Sequence, residues 1–214
     1  MNHARLLLST VATMALLAAC ATSPSPAELD ARATTAIKSS FRDQGIAKTD
    51  RLNQDLGQAA CSSDKAPDDA TADRIMAEAL YTVKWPAGGQ FLGDWRAGEK
   101  LAQDGRGMTW TDRSAETSAN GGNCYNCHQI SKAEISFGTI GPSLYNYGKL
   151  RGVADPANAA ARPVVEYTWG KLYNAKAFNA CSLMPRFGHA GLLDEKQLKD
   201  LMALLLDPKS PVNQ

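Results

Sequence analysis

The sequence carries almost no charge excess, with 23 Lys and Arg against 22 Asp and Glu. That balance gives no broad basic field, so no nucleic-acid partner is expected. Any docking patch on this protein is therefore local. Metal-ligand residues are also scarce, at five cysteines and three histidines. The single C-x-x-C, at Cys124 and Cys127, has no second C-x-x-C and no H-x-x-x-H to complete a tetrahedral zinc site. Nor does a βαβ pattern surround it, as a thioredoxin-like pair would require. Residues 27–83 hold no ligand cluster and no nucleotide-binding loop.

What is present begins with an export signal. Arg5 supplies a positive start, and Leu6 to Ala19 is an apolar run too short, and too rich in Ala, Ser and Thr, for a spanning helix. Leu17-Ala18-Ala19-Cys20 resembles a bacterial lipobox, which would make Cys20 the lipidated mature N-terminus. Ordinary cleavage after Ala21 competes with it, since Ala19-Cys20-Ala21 is small-x-small. The lipoprotein reading is preferred, because a cysteine after Leu-Ala-Ala is otherwise an odd choice. Residues 1–19 are thus read as signal peptide and 20–27 as a tether kept extended by Pro24 and Pro26. Either cleavage places the chain outside the cytoplasm, in the periplasm, where a membrane tether through Cys20 is available and disulfides form.

Gly122-Asn123-Cys124-Tyr125-Asn126-Cys127-His128 is the attachment sequence for one covalent c-type haem. Two thiols three residues apart can each add to a porphyrin vinyl group. His128 then falls beneath the iron as proximal ligand. Its other ring nitrogen needs an acceptor to hold the tautomer, and the carbonyl of Pro142 in the Ile140-Gly141-Pro142 turn is the candidate. With Cys20 assigned to lipid or removed and Cys124 and Cys127 to haem, Cys61 and Cys181 remain. In an oxidising compartment their even parity predicts a disulfide, two buried free thiols being the alternative.

The pattern along the chain is all-α. Helices are expected over 27–42, with Leu29, Ala33, Ile37 and Phe41 on one face, over about 49–61, and after Asp68-Asp69 with Ile75, Ala79, Leu80 and Val83 together. These make a helical extension, 28–84, with a haem domain over 85–214. A short helix opens that domain with Asp94 near its N-cap, and Gly98 inside it suggests close approach by another helix. Residues 104–122 read as a surface loop, and helix resumes around 164–179, where Tyr167, Leu172 and Phe178 could cover haem edges or simply form core. Asp194 to Gln197 forms a capping box with a Leu193–Leu198 staple, and Leu198, Leu201, Met202 and Leu205 build a stripe ended by Asp207-Pro208. That face is expected to pack on the Gly98 helix.

A low-spin electron carrier needs a sixth ligand, and methionine raises the reduction potential. Met14 lies in the export signal, Met202 on an apolar helix face, Met76 in the extension and Met108 in the 104–122 loop. Met184 stands in an irregular stretch between helices, Ser182-Leu183-Met184-Pro185-Arg186-Phe187-Gly188, where a loop can bring a thioether to iron. It is preferred, with His189 as the rival giving a bis-imidazole site.

Together the Gly98 helix, the C-x-x-C-H motif, the Gly-Pro-Ser-Leu turn, the Met184 loop and the closing helix resemble a class I cytochrome c fold. Gly-Asp-Trp-Arg-Ala-Gly-Glu at 93–99, the 122–128 motif, Gly-Thr-Ile-Gly-Pro-Ser-Leu at 138–144 and Cys-Ser-Leu-Met-Pro-Arg-Phe-Gly at 181–188 look like SoxX, the sulfur-oxidation cytochrome c subunit. The similarity runs from about 85 to 213. It implies a periplasmic complex with SoxA, a c-type cytochrome whose own haem is catalytic. That complex, an L-cysteine S-thiosulfotransferase, joins thiosulfate to a cysteine of the SoxY–SoxZ carrier and passes two electrons to a cytochrome c acceptor. The resemblance also implies His128 and Met184 as iron ligands and Cys124 and Cys127 as attachment points. The lipobox departs from the soluble pattern of that family. A free-standing electron shuttle is the alternative function, and a haem sensor with an open sixth position a third.

Overall fold

A computed structural model of the chain describes residues 23–214. The expected signal peptide, Cys20 and the start of the expected tether lie outside the described residues. The described residues are helical and contain no strand, only an isolated bridge between Gln44 and Ala47. None of their helices is long and apolar enough to cross a membrane.

The described residues divide into two units, 23–42 and Asp43–Gln214. In the first, α1 (Pro26–Ser40) starts one residue earlier than expected. Ser25 caps it through a reciprocal bond with Glu28, and Pro26 sits at the first helical position, where its missing N–H costs nothing. Pro26 therefore begins the helix rather than extending the tether. No residue of α1 is buried, so the expected stripe through Leu29, Ile37 and Phe41 is solvent-facing.

The second unit includes residues 43–84 of the expected extension, and Ala79 and Val83 belong to its apolar core. The single helix expected over about 49–61 is two pieces, a 3-10 turn (Thr49–Leu52) and α2 (Leu56–Cys61). The break occurs because Asp55 is extended and forms a capping box with Gln58, which restarts the helix. α3 (Asp69–Tyr81) begins at the Asp68 cap and buries Ile75 and Ala79, while Leu80 is exposed.

The scaffold of this unit is the crossing of α4 (Trp95–Gln103) and α7 (Glu195–Leu206). Asp94 caps α4 and the Asp194–Gln197 box caps α7. Gly98 permits the close approach: a Cβ there would collide with the Asp200 carbonyl. Around this contact Gly93 N–H donates to Lys199 O at 2.8 Å and Asp94 N–H to Asp200 Oδ1 at 2.9 Å. Leu193, Leu198, Leu201, Met202 and Leu205 are all buried. Met202 is wholly enclosed, as core packing requires. α7 is covered on a further side by the chain end, where Asn213 Nδ2 donates to Leu205 O at 3.0 Å and Val212 is fully buried.

Two other expectations change in detail. Helix over 164–179 becomes α6 (Arg162–Tyr173) followed by a 3-10 turn (Ala175–Ala177). Asn174 leaves the helical conformation because its amide donates to Thr82 Oγ1 at 3.0 Å, tying it to the end of α3. The 104–122 stretch is not all surface. Asn120 is buried and donates to Leu192 O at 2.9 Å, and Gly122 N–H returns to Leu101 O at 2.8 Å. A short α5 (Tyr147–Leu150) completes the helices named here.

Candidate haem-attachment site

Cys124–Asn126 forms a 3-10 turn entered through Asn123 in the left-handed region. Both Cys127 N–H (3.1 Å) and His128 N–H (2.9 Å) donate to the Cys124 carbonyl. One turn thus carries both thiols and the imidazole. Neither Cys124 nor Cys127 is in a disulfide. Burial, and secondarily the nearby Cys127 thiol, pushes the Cys124 thiol up to about 12. A thiol held protonated is a poor redox nucleophile, which disfavours a thioredoxin-like role. Among the described residues no three of His, Cys, Asp and Glu converge as a metal-ligand group, which disfavours zinc.

The segment 138–144 runs back along this turn. Gly138 N–H donates to Tyr125 O (2.9 Å), Gly141 N–H to Cys127 O (2.8 Å) and Leu144 N–H to Gln129 O (2.7 Å). The strap brings the Pro142 carbonyl to 2.7 Å from His128 Nδ1. A carbonyl only accepts, so Nδ1 must carry a proton, and in the neutral ring the lone pair then lies on Nε2. That is the tautomer a metal ligand needs. Gly141 lies flat against the ring, since a Cβ there would collide with three imidazole atoms. Gly138 is similarly required by the Asn126 carbonyl. Neither glycine contact is readable from the motif alone, though a Gly next to Pro signals a tight turn.

Met184 lies on the irregular loop after the 3-10 turn at 175–177, partly buried and packed against the same apolar core as Cys124. His189 is exposed. Its backbone N–H bonds Tyr173 O at 3.0 Å, and its imidazole is held below the ordinary histidine value by partial burial and the Arg186 charge. Leu172 is core, whereas Tyr167 and Phe178 form an edge-to-face pair with ring centres 4.7 Å apart. Cys61 and Cys181 are disulfide-bonded. Beside them Arg186 pairs with Asp55 at 2.6 Å, a contact joining positions 131 apart that has no sequence signature.

These residues fit a haem. The donor set is two unpaired thiols, one imidazole with a free Nε2, and one half-buried thioether. Apolar side chains that neighbour Gly141 and Met184 in the chain are exposed, Ile140 at 76% and Leu183 at 89%. A large apolar ring system would remove such surface from water.

No family model matches the chain. A protein of Aquifex aeolicus (strain VF5) described as "Uncharacterized lipoprotein" is 36% identical over 167 residues, covering 75% of this chain and 73% of the relative. At that identity and coverage, the chain belongs to the same family as the Aquifex aeolicus lipoprotein.

Proposed function

We propose that this protein is an exported mono-haem c-type cytochrome, with a class I cytochrome c-like domain, acting as the SoxX-type electron-transfer subunit of a thiosulfate-conjugating complex. The observation that carries the haem assignment is His128 held by Pro142 in the Nε2-free tautomer, on the same turn as Cys124 and Cys127. Cys124 and Cys127 would anchor the haem, and His128 and Met184 would ligate its iron. When bound, a haem supplies a one-electron ferric/ferrous couple. The protein's part would be to supply the His128 and Met184 ligands, exclude competing ones and tune the potential through methionine ligation and burial.

The SoxX role rests on the four sequence blocks at 93–99, 122–128, 138–144 and 181–188. In that role the chemistry lies on a SoxA-type partner. There a carrier cysteine thiol and thiosulfate form a sulfur–sulfur bond, releasing one proton and two electrons. The electrons leave one at a time toward a cytochrome c acceptor. A lipid at Cys20 would hold the complex at a membrane surface in the periplasm, and the lipoprotein description of the Aquifex relative supports this anchor.

Expression of the full chain with c-type haem maturation tests the assignment. Haem staining on a denaturing gel is expected, and is lost in Cys124→Ser/Cys127→Ser. The oxidised protein is expected to show the weak near-infrared band of methionine ligation, which Met184→Ala abolishes while lowering the potential. A spectrum unchanged in Met184→Ala overturns Met184 as ligand. Co-purification with a second haem protein supports the subunit role; a persistent monomer in the presence of SoxA supports the shuttle instead.

A further inference from the structure

Met184 is bracketed by two cross-links to one short helix. Cys181, before it, is bonded to Cys61, and Arg186, after it, is paired with Asp55 at 2.6 Å. Asp55 is the N-cap of α2 and Cys61 its last residue, so the two ends of a single six-residue helix grip the two ends of the Met184 loop. Asp55 divides its oxygens between the tasks. Oδ1 accepts the Gln58 N–H at 2.7 Å, and Oδ2 accepts Arg186 Nη1 at 2.6 Å. α2 is itself seated on the body of the unit. Gly57 is buried, and a Cβ there would stand 3.2 Å from Ile75 of α3 and 3.0 Å from the Lys176 ammonium.

The far end of the loop is also anchored, by buried Phe187 and by the Gly188 and His189 N–H groups on Tyr173 O, but between the two cross-links little else holds it. The Met184 N–H bonds only the neighbouring Ser182 hydroxyl at 3.3 Å, and residues 181–189 contain no helix or strand. Resting on the haem reading above, we infer that α2 is a clamp for the distal ligand. Asp55, Cys61, Cys181 and Arg186 are positioning residues that keep the Met184 thioether against iron. A neutral thioether on an untethered loop would open and yield its place to external ligands. A loop tied at both ends opens rarely, and the apparent affinity of any competitor falls by the fraction of time the site is open.

The test is imidazole binding to the ferric full-length holoprotein, followed by loss of the near-infrared methionine band. Cys61→Ala/Cys181→Ala is expected to bind imidazole at least about tenfold more tightly than the wild type. Asp55→Asn keeps the disulfide and a competent N-cap, and is expected to bind about threefold more tightly. If the double cysteine variant does not fold, Asp55→Asn decides alone. Imidazole affinity within about twofold of the wild type in every folded variant, with the band intact, overturns the clamp and leaves the haem reading standing. A wild type without covalent haem or without the band overturns both.

Discussion

The two sides of the candidate site are built by different physics. On the His128 side, three backbone hydrogen bonds align 138–144 with 125–129, and Gly138 and Gly141 allow contact too close for any Cβ. That side is a main-chain structure between near neighbours, with only 14 residues separating His128 from Pro142. On the Met184 side, an irregular loop is held by side chains across a sequence separation of 120 at the disulfide and 131 at the ion pair. The near side is held by main-chain bonds and close packing, and the far side by two long-range cross-links beside the buried Phe187 anchor. On the proposed haem reading, an imidazole ligand needs orientation above all and a weak thioether needs restraint, which the two constructions would supply.

The largest effect that would break this contrast is loss of the disulfide. Cys61→Ala/Cys181→Ala is expected to cost roughly 2–5 kcal/mol in denaturant unfolding. Under native conditions, amide exchange should quicken at 182–187 while 138–144 stays protected. Equal loosening of both segments would mean that the two sides are one cooperative piece.

Gly141→Ala probes the other side. Its methyl group must displace the imidazole or the strap, and a cost of about 1–3 kcal/mol is expected. Haem staining should survive, because Cys124 and Cys127 are untouched, while histidine coordination weakens and the spectrum shifts toward high spin. An unaltered spectrum and unfolding midpoint would show that the close fit has no role in orienting His128.

The smallest effect is the pH dependence of the Asp55–Arg186 link. Burial is the largest single influence on Asp55 and pushes its carboxyl upward. The Gln58 N–H, the Arg186 hydrogen bond and the Arg186 and Lys176 charges together outweigh it, holding the group below the ordinary carboxylate value. A depressed folded value means the stabilisation is complete above the unfolded value of about 4 and disappears as pH falls through the folded one. The carboxylate side chain is 42% exposed, so the contribution is at most about 1 kcal/mol. Asp55→Asn should therefore melt below the wild type at neutral pH and converge with it as acid protonates the Asp55 carboxylate. A melting difference constant across that range would remove the ion pair from the stabilisation.

Much of the helical framework was legible because its signals are local. The Asp194–Gln197 box, the Asp94 and Asp68 caps and the apolar stripe of α7 each depend on residues within one or two turns. Gly98 marked a close helix crossing for the same reason, since an unfavourable residue inside a helix calls for a packing cause. The Cys61–Cys181 bond was legible by parity, given an oxidising compartment. Helix breaks were harder to read. The Asp55–Gln58 cap inside an apparently continuous stripe divided 49–61, and Asn174 ended α6 through a bond to Thr82 that no periodicity reports. The boundary expected near 85 falls inside the compact unit 43–214, because Ala79 and Val83 join a core contributed by distant segments.

Residue identity alone therefore determined the chemical inventory of Cys124-Tyr125-Asn126-Cys127-His128: two thiols and an imidazole at a spacing suited to a covalently held haem. Tertiary structure decided what those groups can do, by pressing Gly141 against the ring and setting the Pro142 carbonyl on Nδ1, which places the neutral ring's lone pair on Nε2. It also decided that Asp55 and Cys61 meet Arg186 and Cys181 around Met184. Spacing along a chain sets reach over a few residues, but a contact across more than a hundred exists only once burial of the core has closed the intervening loop.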